Sequence, residues 1–296
     1  MAPMNGVIDV LELEKEISDL ESRLKNARVR LATVPNGRLC KAHLTLNPIH
    51  SLLLLSDSAL PLGSFAYSSG LESYLAHTKP LPPSTTLSAS FQSFLKLSIA
   101  SVASTSLPYL LVAYRHPENL EKMDNNLDAA TPCVVAQRAS IAQGRALLGV
   151  WERAFRKTYA ASPGSHVAIA AGEAIGRFSE ALKSYDDSTA EELGPRGHFA
   201  PLWGVVCLAM GVDAQQATYV FMVNHAKAIL SAAVRASVLG PYQAQSILAS
   251  LSLQDTIARR IKLAWNVDVE QAGQNAPVLD LWVGRHELLY SRIFNS

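Results

Sequence analysis

Residues Asp213 to Val238 read DAQQATYVFMVNHAKAILSAAVRASV, and this run constrains the fold more than any other. Its apolar residues fall on nearly every side of a helix, Asp213 and Gln216 form a capping-box-like start, and Gly240-Pro241 ends it. A helix that is apolar nearly all round must be surrounded. No stretch shows the sustained alternation of β-branched and polar residues that a half-buried strand needs. The expected fold class is therefore all-α: a single-domain helical bundle with a central buried helix, an N-terminal helical extension and a C-terminal tail.

Composition narrows the partners. Of 296 residues, 49 % are hydrophobic and only 17 % charged, against about 25 % charged in a typical soluble domain. So apolar a chain either buries surface against other proteins or meets a membrane. The best candidate for a span is the uncharged run Leu97 to Tyr114, but Ser98, Ser101, Ser104, Thr105, Ser106 and Pro108 make it a better buried helix than a lipid-facing one. Asp9, Glu12 and Glu14 interrupt any secretory leader. Net charge of +1 offers no field for a polyanion, so nucleic acid is not an expected partner. Cys40, Cys133 and Cys207 are odd in number and lack metal or redox spacing, which suits a reducing, cytoplasmic setting.

Three regions are expected along the chain. Residues 1–46 form an extension and linker, 47–267 the all-α domain, and 268–296 a linker followed by a partner-docking tail. In the extension, Leu13, Ile17, Leu20, Leu24 and Leu31 recur at three-and-four spacing, with Asp19/Arg23 and Glu21/Lys25 as i,i+4 pairs. This reads as a coiled-coil-like helix or a segment that orders on a partner. Asn47-Pro48 caps the first helix of the domain, and a second is predicted over Phe65 to His77. Ser84 is expected to cap a long helix that ends or kinks near Pro108. Pro117 to Ala130 reads as a polar surface helix or loop. Further helices are predicted over Cys133 to Tyr159, Ile169 to Leu182, Ala200 to Met210, and twice within Gln243 to Ala264.

Across the junction of the first two helices runs LSDSALPLGSFAYSSGLE, where Pro61 and Gly63 predict a tight turn crowded by small residues. Ala66-Tyr67-Ser68-Ser69-Gly70 has the form of a variant nucleophile elbow, which would make Ser68 a hydrolase serine. An elbow needs a preceding strand and a histidine base, and no motif nominates either. His286-Glu287 begins like a zinc-protease helix, but position 290 is Tyr, and His166, His198 and His225 are scattered. No phosphate loop, dinucleotide fingerprint or paired-cysteine cluster occurs, so neither catalytic residues nor a cofactor or metal site is expected. The tail is more suggestive: Trp282, Tyr290, Phe294, Arg285 and Arg292 are residue types that anchor interfaces. They equally suit a last helix packing on its own bundle.

The pattern D-S-A-L-P-L-G-S-F-A-Y-S-S-G-L-E, starting at Asp57, resembles the signature loop of the urease accessory protein UreF family. Four further blocks follow in the family's order: Arg138-Ala-Ser140 with Gly144-Arg145, His198-Phe-Ala-Pro-Leu-Trp-Gly204, Arg235 with Gly240-Pro241, and Arg285 to Ser296. The resemblance spans roughly Pro48 to Ser296. It implies a nonenzymatic all-α homodimer in nickel-centre assembly, whose partners are a UreD-like (UreH-like) accessory protein, the GTPase UreG and the urease apoprotein. Asp57, Pro61, Gly63, Phe65, Tyr67, Ser68, Gly70 and Glu72 are thereby implied in dimer and GTPase contacts. Arg285, His286, Glu287, Tyr290, Ser291 and Arg292 are implied in docking the UreD-like protein. Ser64 replaces a usual Gly and Tyr67 a frequent His, so the resemblance implies no nickel ligand in this loop.

Overall fold

The computed structural model describes residues 15–25, 47–161, 165–185 and 194–296. Its contacts separate two compact units, Met1–Leu44 and Thr45–Ser296. In the first, residues 15–25 form helix α1; the linker expected after it lies outside the described residues. In the second, the helices are α2 (Pro48–Ser56), α3 (Leu71–His77), α4 (Leu87–Thr105), α5 (Leu107–Arg115), α6 (Leu120–Ala130), α7 (Val134–Val150) and α8 (Arg156–Ala161). They continue as α9 (His166–Ser184), α10 (Phe199–Ala209), α11 (Ala214–Arg235), α12 (Pro241–Ala249), α13 (Leu251–Ala264) and α14 (Val278–Arg285). No strand occurs among the described residues, and the fold is all-α.

Local chemistry accounts for most of the boundaries. Asn47 accepts from the Ile49 amide at 2.9 Å with Pro48 next to it, and Asp213 accepts from Gln216 at 2.9 Å to open α11. α4 and α5 break at Ser106, just before Pro108, where proline cannot continue the ladder. Together they form the described stretch long and apolar enough to cross a membrane, yet 61 % of its apolar window is buried inside the bundle. The cap of α4 is Thr86, not Ser84, because the Thr85 amide closes a turn on Pro82 O and delays the helix. The helix predicted over Cys133 to Tyr159 is interrupted by a π-helical turn, Trp151–Phe155.

The most enclosed element is α10. Every residue from Ala200 to Cys207 is buried, and the helix packs against α5, α6, α7, α9 and α11. α11 also crosses the bundle, but it leaves Tyr219, Ser231 and Arg235 exposed, so it is not surrounded along its whole length. Trp203 ties the two helices together by donating from Nε1 to Ala217 O at 3.0 Å. Gly204 sets the approach to α5: a Cβ there would lie 2.4 Å from Leu110 O.

The start of α10 is fixed by a buried carboxylate. Asp124 accepts from the amides of Arg196, Gly197 and His198 at 2.6, 3.0 and 2.5 Å. Fully buried His198 donates from Nε2 to Asp128 at 2.9 Å and meets Ser140 Oγ with Nδ1 at 3.0 Å. Thus α6 is no mere surface segment; its face of Leu120, Met123, Asp124 and Leu127 is internal.

Gly204→Ala should lower stability by about 1–3 kcal/mol through overpacking against main-chain atoms. Gly149→Ala in α7, with nothing within 4 Å of the added carbon, should raise it by about 0.5–1 kcal/mol. Denaturant midpoints measure both.

Candidate partner-docking site

After α2 the chain leaves helical geometry at Asp57, whose carboxylate accepts from the Ala59 amide at 2.9 Å. The chain turns at Pro61, where the Leu62 amide donates to Leu60 O at 2.7 Å, and Gly63 is left-handed at φ 70°. The helix predicted from Phe65 does not form: Ser64–Ala66 is one 3₁₀ turn, Tyr67 is extended, and Ser69 and Gly70 have φ of 52° and 85°. Consecutive left-handed residues cannot propagate a right-handed helix, so α3 begins at Leu71. Gly70 meets a second demand, because a Cβ there would lie 3.0 Å from Val283 in α14.

The tail closes onto this loop. Residues 268–277, expected to be a loose linker, lie along the bundle: the Gly273 amide donates to Ser104 O at 3.2 Å and Ala276 is buried. In α14, Trp282 packs on Tyr74 and Phe94 with ring centroids 4.6 and 6.0 Å away. Beyond α14 the chain turns back, and the Glu72 carboxylate accepts from His286 Nε2 at 2.8 Å and from the Ile293 and Phe294 amides at 2.7 and 3.2 Å. The Asn295 amide donates to Ala66 O at 2.8 Å, and both the amide and hydroxyl of Ser68 donate to Ser296 O. Arg235 of α11 completes the closure by donating to Phe65 O while its guanidinium lies 4.4 Å from the Phe294 ring centre. Partial desolvation against the loop and tail holds that guanidinium below its usual pKa, and burial raises the Tyr67 phenol above its own.

The predicted site residues therefore divide by direction. Ser68, Gly70 and His286 are buried, and Glu72 is nearly so; they bind loop to tail. Gly63 and Tyr67 are half-buried. Asp57, Pro61, Phe65, Arg285, Glu287, Tyr290, Ser291 and Arg292 are exposed, although Glu287 also pairs with Arg138. Ser68 lacks the setting of an elbow nucleophile, since no strand precedes it and its hydroxyl is committed to Ser296. Phe294 is buried rather than an outward anchor. Sequence reasoning missed Leu288 and Ile293, which are 76 % and 62 % exposed beside fully exposed Tyr290. It also missed Arg235 as the bridge; a lone arginine near the end of an apolar helix was the available signal.

Behind the loop lies a cavity of about 360 Å³ whose wall includes Leu55, Tyr67, Ser98, Phe221, His225 and Asp280. His225 Nε2 meets Ser98 Oγ at 2.9 Å, and burial pulls the imidazole down to about 4. Among the described residues, no three His, Cys, Asp or Glu side chains cluster as a metal site would require.

The UreF family model matches residues 86–252. The chain is 38 % identical over 247 residues to an uncharacterized urease accessory protein UreF-like of Schizosaccharomyces pombe, covering 83 % of this chain and 97 % of that protein. The chain belongs to the UreF family. It is also 30 % identical over 246 residues to urease accessory protein F of Oryza sativa subsp. japonica, covering 81 % and 82 % of the two chains. With UreF of Corynebacterium glutamicum it shares 25 % identity over 248 residues, covering 83 % and 96 %. UreF membership supports a role as a urease accessory protein.

Two outcomes follow for this UreF chain. Glu72→Ala removes the acceptor for three donors, each worth about 1 kcal/mol or more, and should speed trypsin cleavage after Arg285 and Arg292 at least tenfold with the bundle intact. For His225, the folded pKa lies below the unfolded value of about 6.5, so the unfolded chain binds the proton first as pH falls. Stability should therefore drop from pH 6.5 to 4 by up to ~3 kcal/mol, and His225→Gln should flatten that part of a stability-versus-pH curve.

Proposed function

We propose that this chain is a nonenzymatic scaffold that holds a UreG-like GTPase and a UreD-like accessory protein on the urease apoprotein while nickel is inserted. Nickel is the cargo of the assembly in this reading. The chain acts in the cytoplasm as a homodimer and modulates the GTP-dependent step by positioning the GTPase.

The observation that carries the reading is the joining of loop and tail into one outward surface. Phe65, Leu288, Tyr290 and Ile293 are large apolar side chains left in water, and Asp57, Arg285 and Arg292 of the same loop and tail are exposed as well. Aromatic and arginine anchors concentrate binding energy in protein interfaces. Because Glu72, Ser68 and Arg235 already hold the backbone beneath them, little ordering remains for the moment of binding. That arrangement suits a relay of protein contacts, and the family's role gives it a place in urease maturation.

Phe65→Asp and Tyr290→Ala/Arg292→Glu change exposed side chains and should leave the fold intact. The tail pair should weaken capture of a UreD-like partner by about thirtyfold or more, the effect of losing ~2 kcal/mol at an anchor. Phe65→Asp should weaken recruitment of the UreG-like GTPase to the preformed complex. Equilibrium pull-downs with GTP turnover measure both; full binding by all variants would sink the assignment.

A further inference from the structure

The function proposed above leaves α1 unused. Ile17, Leu20 and Leu24 are 55 %, 54 % and 54 % exposed, and every residue of the helix is exposed. Their spacing is the alternating three and four of a heptad, and the sequence keeps it at Val10, Leu13, Ala27 and Leu31. A helix that beds on a globular core presents a broad apolar face, whereas a two-position seam repeating every 3.5 residues matches a second helix.

The flanking charges choose the occupant. With Ile17 at heptad position a and Leu20 at d, Glu16 and Arg23 take g positions and Glu21 an e position. In a parallel pair each g residue faces the e residue five places on, which sets Glu16 against Glu21 on both sides. Like charges thus oppose the parallel arrangement. In an antiparallel pair that stacks Ile17 on Leu20 of a second copy, g faces g, so Glu16 meets Arg23 and Arg23 meets Glu16. The competing Asp19–Arg23 contact within the helix is 3.9 Å long and largely solvated, so it yields readily. The seam is thus self-complementary in one orientation only.

We propose that α1 is a self-association element, through which two copies of this chain pair antiparallel along Ile17, Leu20 and Leu24 in the register set by Glu16 and Arg23. This contact is separate from any dimer face on the 45–296 unit. It adds a second, salt-sensitive link between copies.

Charge exchange in the full-length chain tests it by sedimentation at low salt across a dilution series. Glu16→Arg alone and Arg23→Glu alone should each weaken self-association about tenfold, because two symmetry-related pairs change sign. The double exchange E16R/R23E should restore wild-type behaviour. Association through the larger unit is common to all four chains and cancels in the comparison. Tighter association by Glu16→Arg would indicate parallel pairing with Glu21 and overturn the proposal. Equal behaviour of all four chains would overturn it too, leaving the seam to a different protein.

Discussion

A nearly buried carboxylate with three converging donors organises the loop and the tail of this molecule. Glu72 stands in the first turn of α3, and its oxygens receive one imidazole N–H and two main-chain amides from residues more than two hundred positions later. A desolvated carboxylate is stable only while such donors are present, and buried amides are costly without an acceptor. Loop and tail therefore stabilise each other's order. The left-handed pair Ser69 and Gly70 aims α3 so that this can happen, and Gly70 lets α14 approach.

The same logic recurs at the start of α10. Asp124 gathers three consecutive amides ahead of α10 much as Glu72 gathers donors from the tail. In both places an acidic side chain replaces the regular ladder where the chain must turn sharply, and the helix beside it inherits a fixed direction. α10 can then be apolar throughout, since its entry needs no polar side chain of its own. The proposed docking surface consequently rests on a body whose central helix is held at its start by α6 and along its length by α5, α7, α9 and α11.

Helices, and with them the all-α class, were legible because caps and breaks are local. Asn47, Asp213 and Pro108 act through neighbours two to four residues away, and each did what its chemistry predicts. What was hidden acts across the chain. Phe65 to His77 has good helical composition, but the backbone reversal at Ser69 and Gly70 answers to α14. Asp124 looked like one more surface acid because its partners lie in a segment about seventy residues on. The candidate site was visible as two separate motifs, but their contact was not. Hence Ser68, Glu72 and His286, singled out as partner contacts, turn inward, while Leu288 and Ile293 supply exposed surface that no motif marked.

The central claim is that loop and tail form one surface before any partner arrives. Amide hydrogen exchange of the isolated chain tests it most directly, because Ile293 and Phe294 donate their amides to Glu72 in the closed arrangement. Slow exchange at both positions, comparable to that within α14, is the predicted result. Exchange at unfolded rates in the free chain, with protection arising only in a complex, would contradict the account.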